Sequence, residues 1–213
     1  MSKTICIYSK ERDKTTDFLA PLCNHICERL QAECVGYDVD SEEDSVAIIY
    51  QSIQDADSVI FLGHGDSTGL YASAGDDYKL FDAANIDLLR GKRLFLMACN
   101  SADLIKRFHL ENALGFGNLP TSIDDVQNWK VLHSVRIEDL TGEDIKLYDD
   151  ALINIFSNVI SPETMADYNL LYDRLKFQTS IEITKCLTQH IHTKHYREIA
   201  DLLFYMQKDI RIQ

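Results

Sequence analysis

Two short stretches of this chain carry almost no polar residue. One is Asp57-Ser58-Val59-Ile60-Phe61-Leu62-Gly63, which stops at His64-Gly65, and the other is Arg93-Leu94-Phe95-Leu96-Met97-Ala98, which stops at Cys99-Asn100-Ser101. Continuous apolar runs of this length predict strands buried on both faces of a parallel sheet. Upstream, Thr4-Ile5-Cys6-Ile7-Tyr8 predicts a first strand, followed by a polar loop from Ser9 to Asp13. From Thr16 to about Glu33, Phe18, Leu19, Leu22, Cys23, Ile26, Cys27 and Leu30 recur at helical steps, with Pro21 marking a kink or a start shortly before it. Cys34 to Val39 predicts a second strand, and Ser45 to Ala56 a second helix with Val46, Ile49, Ile53 and Ala56 on one face.

Between the two apolar runs the pattern changes. Gly69 to Ser73 and Tyr78 to Phe81, separated by Ala74-Gly75-Asp76-Asp77, predict a small hairpin. Asp82 then caps a short helix through Leu89, ended by Arg90-Gly91-Lys92. Ser101 to His109 predicts a helix, Asn112 to Gly117 a fifth strand, and Ser122 a cap for Ile123 to Trp129. Residues 130–144 give no clear period. From Ile145 onward the pattern predicts helices only: a stripe of Leu147, Ala151, Leu152, Ile155, Phe156 and Val159, a helix start at Ser161-Pro162-Glu163, and helices over 180–193 and 196–208. The whole predicts a three-layer α/β sandwich in one domain, with an α/β core over 1–130 and a helical portion over 145–213.

Charge and composition narrow the function. A net charge of −13 without a local Lys/Arg cluster argues against nucleic acid as a direct partner. No apolar stretch approaches membrane-spanning length, and the apolar run after Met1-Ser2-Lys3 is too short for a signal peptide, so the expectation is a cytoplasmic protein. The six cysteines lack zinc-type pair spacing, and their apolar neighbours suggest reduced, mostly buried thiols. Cys23 and Cys27 lie one helical turn apart on the apolar stripe; a metal site there needs third and fourth ligands that the linear sequence does not supply, so core packing is expected and no metal. His190, His192 and His195 do not share a helical face well and suggest a solvated helix end ahead of a zinc site. No Walker loop or dinucleotide fingerprint is present, and no cofactor is expected.

In open α/β sheets, ligands bind beyond the carboxyl ends of the strands. If the two apolar strands are adjacent, His64 and Cys99 meet at that edge, and a thiol beside an imidazole is a candidate nucleophile and base. Asn100-Ser101 can open a helix, whose amino terminus favours thiolate at Cys99. Asp66 and Ser67 are candidates to line the pocket or orient the imidazole, Asn100 and Ser101 to shape it, and Asn118 to contribute to specificity. Against each stands a plainer role: a buried strand-end cysteine, a loop histidine, ordinary turn and cap residues.

An apolar strand ending in His-Gly, an interposed hairpin and helix, and an apolar strand ending in Ala-Cys resemble the caspase-like cysteine peptidases. Leu62-Gly63-His64-Gly65 with Met97-Ala98-Cys99-Asn100-Ser101 is most similar to the branch of CHAT-domain proteases. The resemblance covers residues 1–130 in architecture and rests on about ten motif residues. It implies a caspase-like three-layer α/β/α sandwich with a mostly parallel sheet, and attack by Cys99 on a peptide carbonyl with His64 as base. It further implies an oxyanion hole from the N–H groups of Gly65 and Cys99. The partners implied are a protein or peptide substrate and a regulatory protein, in bacterial signalling or anti-phage defence. Two departures limit it. The caspase Gln-Ala-Cys-[Arg/Gln/Gly]-Gly signature is absent, and the His-to-Cys gap is 35 residues against roughly 50, so a caspase preference for Asp does not carry over. The competing readings are a catalytically silent interaction module on the same fold and a flavodoxin-like small-molecule binder. The second would need a phosphate loop at Ser9 to Lys14, which has no glycine.

Overall fold

The computed structural model describes residues 3–9, 18–37, 43–71, 79–133 and 139–213. The expected loop after Ser9, the end of the second strand beyond Tyr37 and the hairpin turn around 74–77 lie outside the described residues.

The strands are β1 (Thr4–Ser9), β2 (Glu33–Tyr37), β3 (Ser58–Leu62), β4 (His64–Asp66), β5 (Gly69–Tyr71), β6 (Arg93–Met97), β7 (Ala113–Gly115) and β8 (Arg211–Ile212). The α-helices are α1 (Leu19–Leu30), α2 (Glu43–Gln54), α3 (Ser101–Phe108), α4 (Ile123–His133), α5 (Gly142–Val159), α6 (Pro162–Ala166), α7 (Tyr168–Gln189) and α8 (Tyr196–Asp209). A six-stranded sheet runs in the order β2-β1-β3-β6-β7-β8. Its pairs are parallel except β7–β8. The protein is therefore α/β, with a mostly parallel central sheet.

Period-two alternation sorts the strand residues onto two faces. Cys6, Ile60, Leu62, Phe95, Met97 and Leu114 pack with Leu22 and Ile26 of α1 and with the inner faces of α5, α7 and α8. Ile5, Ile7, Val59, Phe61, Leu94 and Leu96 pack with Ile49 and Ile53 of α2, Leu104 and Ile105 of α3, and a 3₁₀ turn at Ile86–Leu89. Burial on both faces explains why β3 and β6 read as unbroken apolar runs. Phe95, Phe116 and Phe156 form an edge-on triad, with centroids 5.5–5.8 Å apart, that joins the sheet to α5.

The structure amends several expectations. Pro21 falls in the first turn of α1, where its missing N–H costs no helical bond. The chain after Ile145 is not helices only: β8 returns antiparallel to β7, closing the sheet's edge. The helix expected over 180–193 belongs to α7, a single helix of 22 residues. Its inward positions include Thr179 and Glu182, which break the apolar stripe. His195 is not solvated. It is 3 % exposed, and its Nδ1 lies 2.8 Å from Asp144 Oδ2, tying the start of α8 to the start of α5.

Candidate active site

The sheet's register brings the two motif residues side by side. Leu62 of β3 pairs with Met97 of β6, and the Gly63 N–H donates to the Met97 carbonyl at 3.1 Å. His64 and Cys99 each follow their paired residue by two positions. The chain turns at once into β4, which pairs antiparallel with β5, so His64 sits on a small ribbon above the sheet edge. That ribbon was expected further along, between Gly69 to Ser73 and Tyr78 to Phe81; one bridge of it, Leu70 to Phe81, is present.

Gly65 is where the two motifs touch. A Cβ on it would stand 2.9 Å from Ala98 Cβ and 3.0 Å from the Cys99 carbonyl oxygen, so only glycine allows this approach. Leu70, opposite Gly65, directs both its N–H and its C=O to Phe81. Gly65 is thus in a non-hydrogen-bonded position of the ribbon, and its own N–H points away from β5. Among the described residues, no hydrogen bond engages the Cys99 amide.

A cavity of about 110 Å³ opens at this edge, lined by Phe18, Leu19, Gly63, His64, Gly65, Tyr71, Met97, Cys99, Leu119, Thr121 and Asp125. It lies beyond the carboxyl ends of β3 and β6. The strand order reverses direction between β1 and β3, beside this edge, and open α/β sheets place ligands at such reversals. The His64 ring stacks on Tyr71, with centroids 6.0 Å apart and planes at 10°. Burial, with the charges of Asp66, Cys99 and Asp125, pushes the Tyr71 phenol up to about 12, so it stays protonated at neutral pH.

The state of Cys99 differs from the expected thiolate. The half-buried thiol donates to the Leu119 carbonyl at 3.4 Å and accepts from the Leu119 N–H at 3.2 Å. Burial pushes it up to about 11; the Leu119 N–H opposes this and the Asp125 carboxylate adds to it. Helix α3 begins two residues later, with Asn100 at its N-cap in the left-handed region (φ 54°).

The remaining candidates fall elsewhere. Asp66 Oδ1 accepts from the Thr68 N–H at 2.6 Å, the Thr68 hydroxyl and the Gly69 N–H, and its Oδ2 pairs with Lys79 at 2.7 Å. Its carboxylate closes the β4–β5 turn, to which Ser67 also belongs. Ser101 is fully buried: its hydroxyl donates to the Leu96 carbonyl at 2.7 Å and accepts from the Phe116 N–H at 2.9 Å, fastening β6 to the end of β7. Asn100 and Asn118 line a second groove with Cys99, Pro120, Asp125, Asn128 and Trp129, which His64 does not line. Sequence reading missed Tyr71, Leu119 and Asp125. Only Asp125 carried a signal, as a first-turn acid behind the Ser122 cap (Asp125 N–H to Ser122 Oγ, 3.0 Å).

No protein-family model matches the chain, and no curated protein matches it either. No helix among the described residues is long and apolar enough to cross a membrane.

Proposed function

We propose that this chain is a cysteine endopeptidase in which Cys99 and His64 cleave peptide bonds of a protein substrate. The observation that carries the reading is the contact of Gly65 with Ala98 and Cys99, which sets a thiol and an imidazole on one cavity beyond the strand ends. In the reaction, Cys99 Sγ gives its proton to His64 and attacks the carbonyl carbon. The oxyanion takes hydrogen bonds from the N–H groups of Gly65 and Cys99. His64 then protonates the leaving amine as the C–N bond breaks, and a water activated by His64 releases the acid and restores the thiol. No cofactor enters these steps.

Leu119 holds the resting thiol on both its donor and acceptor sides, so turnover requires this contact to loosen and the thiol to turn to His64. A regulatory protein partner is the proposed trigger, in keeping with the family resemblance and its setting in bacterial signalling or anti-phage defence. The same contact favours a second reading, a catalytically silent interaction module. The two are separated by mapping new amino termini in cells expressing wild type or Cys99→Ala together with the neighbouring gene products. Cleavages that depend on Cys99 support the peptidase; identical termini support the module.

A further inference from the structure

Four of the six cysteines converge far from Cys99 in sequence and use. Cys23 and Cys27 lie one turn apart on α1. Cys6 of β1 stands directly opposite Cys34 of β2 in the parallel register, so the two side chains share the face that α1 covers. The sulfurs of Cys6, Cys23 and Cys27 lie within 4.8 Å of one another, with Cys6–Cys23 at 3.5 Å and Cys23–Cys27 at 3.8 Å. Cys34 lies outside this tight trio, its sulfur not within 4.8 Å of all three, but its thiol interacts with those of Cys23 and Cys27. Gln31, in the left-handed region at φ 51°, ends α1 with its N–H on the Cys27 carbonyl, and this tight turn returns the chain so that Cys34 comes back alongside Cys27. His25 takes no part: it faces the Ser157 carbonyl at 3.1 Å.

We propose that Cys6, Cys23 and Cys27 bind a zinc ion and that Cys34, opposite Cys6 on β2, closes on it as the fourth thiolate. A tetrahedral ion with Zn–S bonds of about 2.3 Å places its ligand sulfurs about 3.8 Å apart, close to the two separations above. A disulfide fits Cys23 and Cys27 poorly. Residues four apart on a helix hold their Cβ atoms about 5–6 Å apart, whereas a disulfide needs about 3.5–4.5 Å. All the cysteines are free thiols. Three of the ligand sulfurs are buried, while Cys34 is exposed on the outer strand of the sheet and gives the ion its entry path. On binding, Zn²⁺ forms four Zn–S bonds and the thiol protons pass to solvent. The ion fastens α1 to β1 and β2. Because Leu19 of α1 and the preceding Phe18 wall the cavity at His64, it also fixes that wall. The site stands whether or not Cys99 is catalytic.

The test uses the full chain, reduced and stripped of metal, then titrated with zinc chloride or cobalt(II) chloride. Native mass spectrometry is expected to find about one zinc per chain, and cobalt to give thiolate charge-transfer and tetrahedral ligand-field bands. Cys34→Ser, at an exposed position that threatens no core packing, should weaken zinc by more than the roughly 10–100-fold typical of losing a supporting partner. Cys27→Ser should do the same, while Cys186→Ser leaves affinity unchanged. A folded chain, verified by circular dichroism, that takes up no zinc overturns the proposal. So does binding indifferent to both variants, binding of copper(I) alone, or a reduced chain that reoxidises to an intramolecular disulfide among these four in place of loading metal.

Discussion

Leu62 and Met97 stand directly opposite each other in the β3–β6 pair, and that single register fixes the candidate site. A slip by one residue would carry one motif side chain to the other face of the sheet. The bond from the Gly63 N–H to the Met97 carbonyl holds the register one residue past the last paired positions.

Gly65→Ala follows most directly from this arrangement. The added methyl meets Ala98 and the Cys99 carbonyl at 2.9 and 3.0 Å, both rigidly held. We expect a cost of about 1–3 kcal/mol from overpacking and loss of the thiol's reaction with substrate-like probes in a chain that still folds. Chemical denaturation and peptide-ketone labelling measure the two effects.

The thiol should titrate late. Burial and the Asp125 carboxylate both disfavour thiolate, so Cys99 alkylation in the resting chain is expected to stay slow through pH 8 and to rise toward about 11. Removing the negative charge in Asp125→Asn shifts the midpoint downward, because less repulsion opposes ionisation. Site-resolved alkylation by mass spectrometry across pH gives both curves; an unchanged midpoint in the variant contradicts the electrostatic account.

Asp125 also predicts substrate preference. Among the described residues it is the carboxylate that lines both the His64 cavity and the adjoining groove at Trp129. A basic residue near the cleaved bond should therefore be preferred, and Asp125→Asn should erase that preference, read as the ratio of basic to neutral peptides cleaved, because its effect on the Cys99 thiol is common to both. Profiling with a peptide library checks this.

How much of this was legible in the sequence depends on the range of the interaction. The strands β3 and β6 were readable because both their faces are buried, and α1 because its stripe is regular. The ribbon that carries His64 was not: His64-Gly65-Asp66 is polar and short, and its pairing with Gly69–Tyr71 is set by the Asp66 turn and by packing on Cys99. Strand β8 has two residues and exists only because β7 offers an edge. Cys23 and Cys27 were visible as a pair, but Cys6 and Cys34 join them only through strand register. Leu119 acts on Cys99 through backbone atoms, which no side-chain pattern announces.

A stability effect is expected at Asp149. Burial, with the neighbouring Asp150 charge, pushes its carboxyl up to about 8, and its Oδ1 has no hydrogen-bond partner among the described residues. The folded state therefore holds a proton that the unfolded chain releases from about pH 4 upward. Stability is greatest below that value and falls as pH rises toward 8. Asp149→Asn should remove this slope and stabilise the protein at pH 8 by about 1–3 kcal/mol, with no gain near pH 4. Urea melts at the two pH values decide it.

The most direct test of the central claim is covalent labelling with a library of acyloxymethyl-ketone peptides, read by intact mass, on wild type, Cys99→Ala and His64→Ala, with and without the neighbouring gene products. The account predicts a single adduct that needs both Cys99 and His64 and grows when the activating partner is present. Labelling that survives loss of either residue, or complete silence with every partner added, would contradict it.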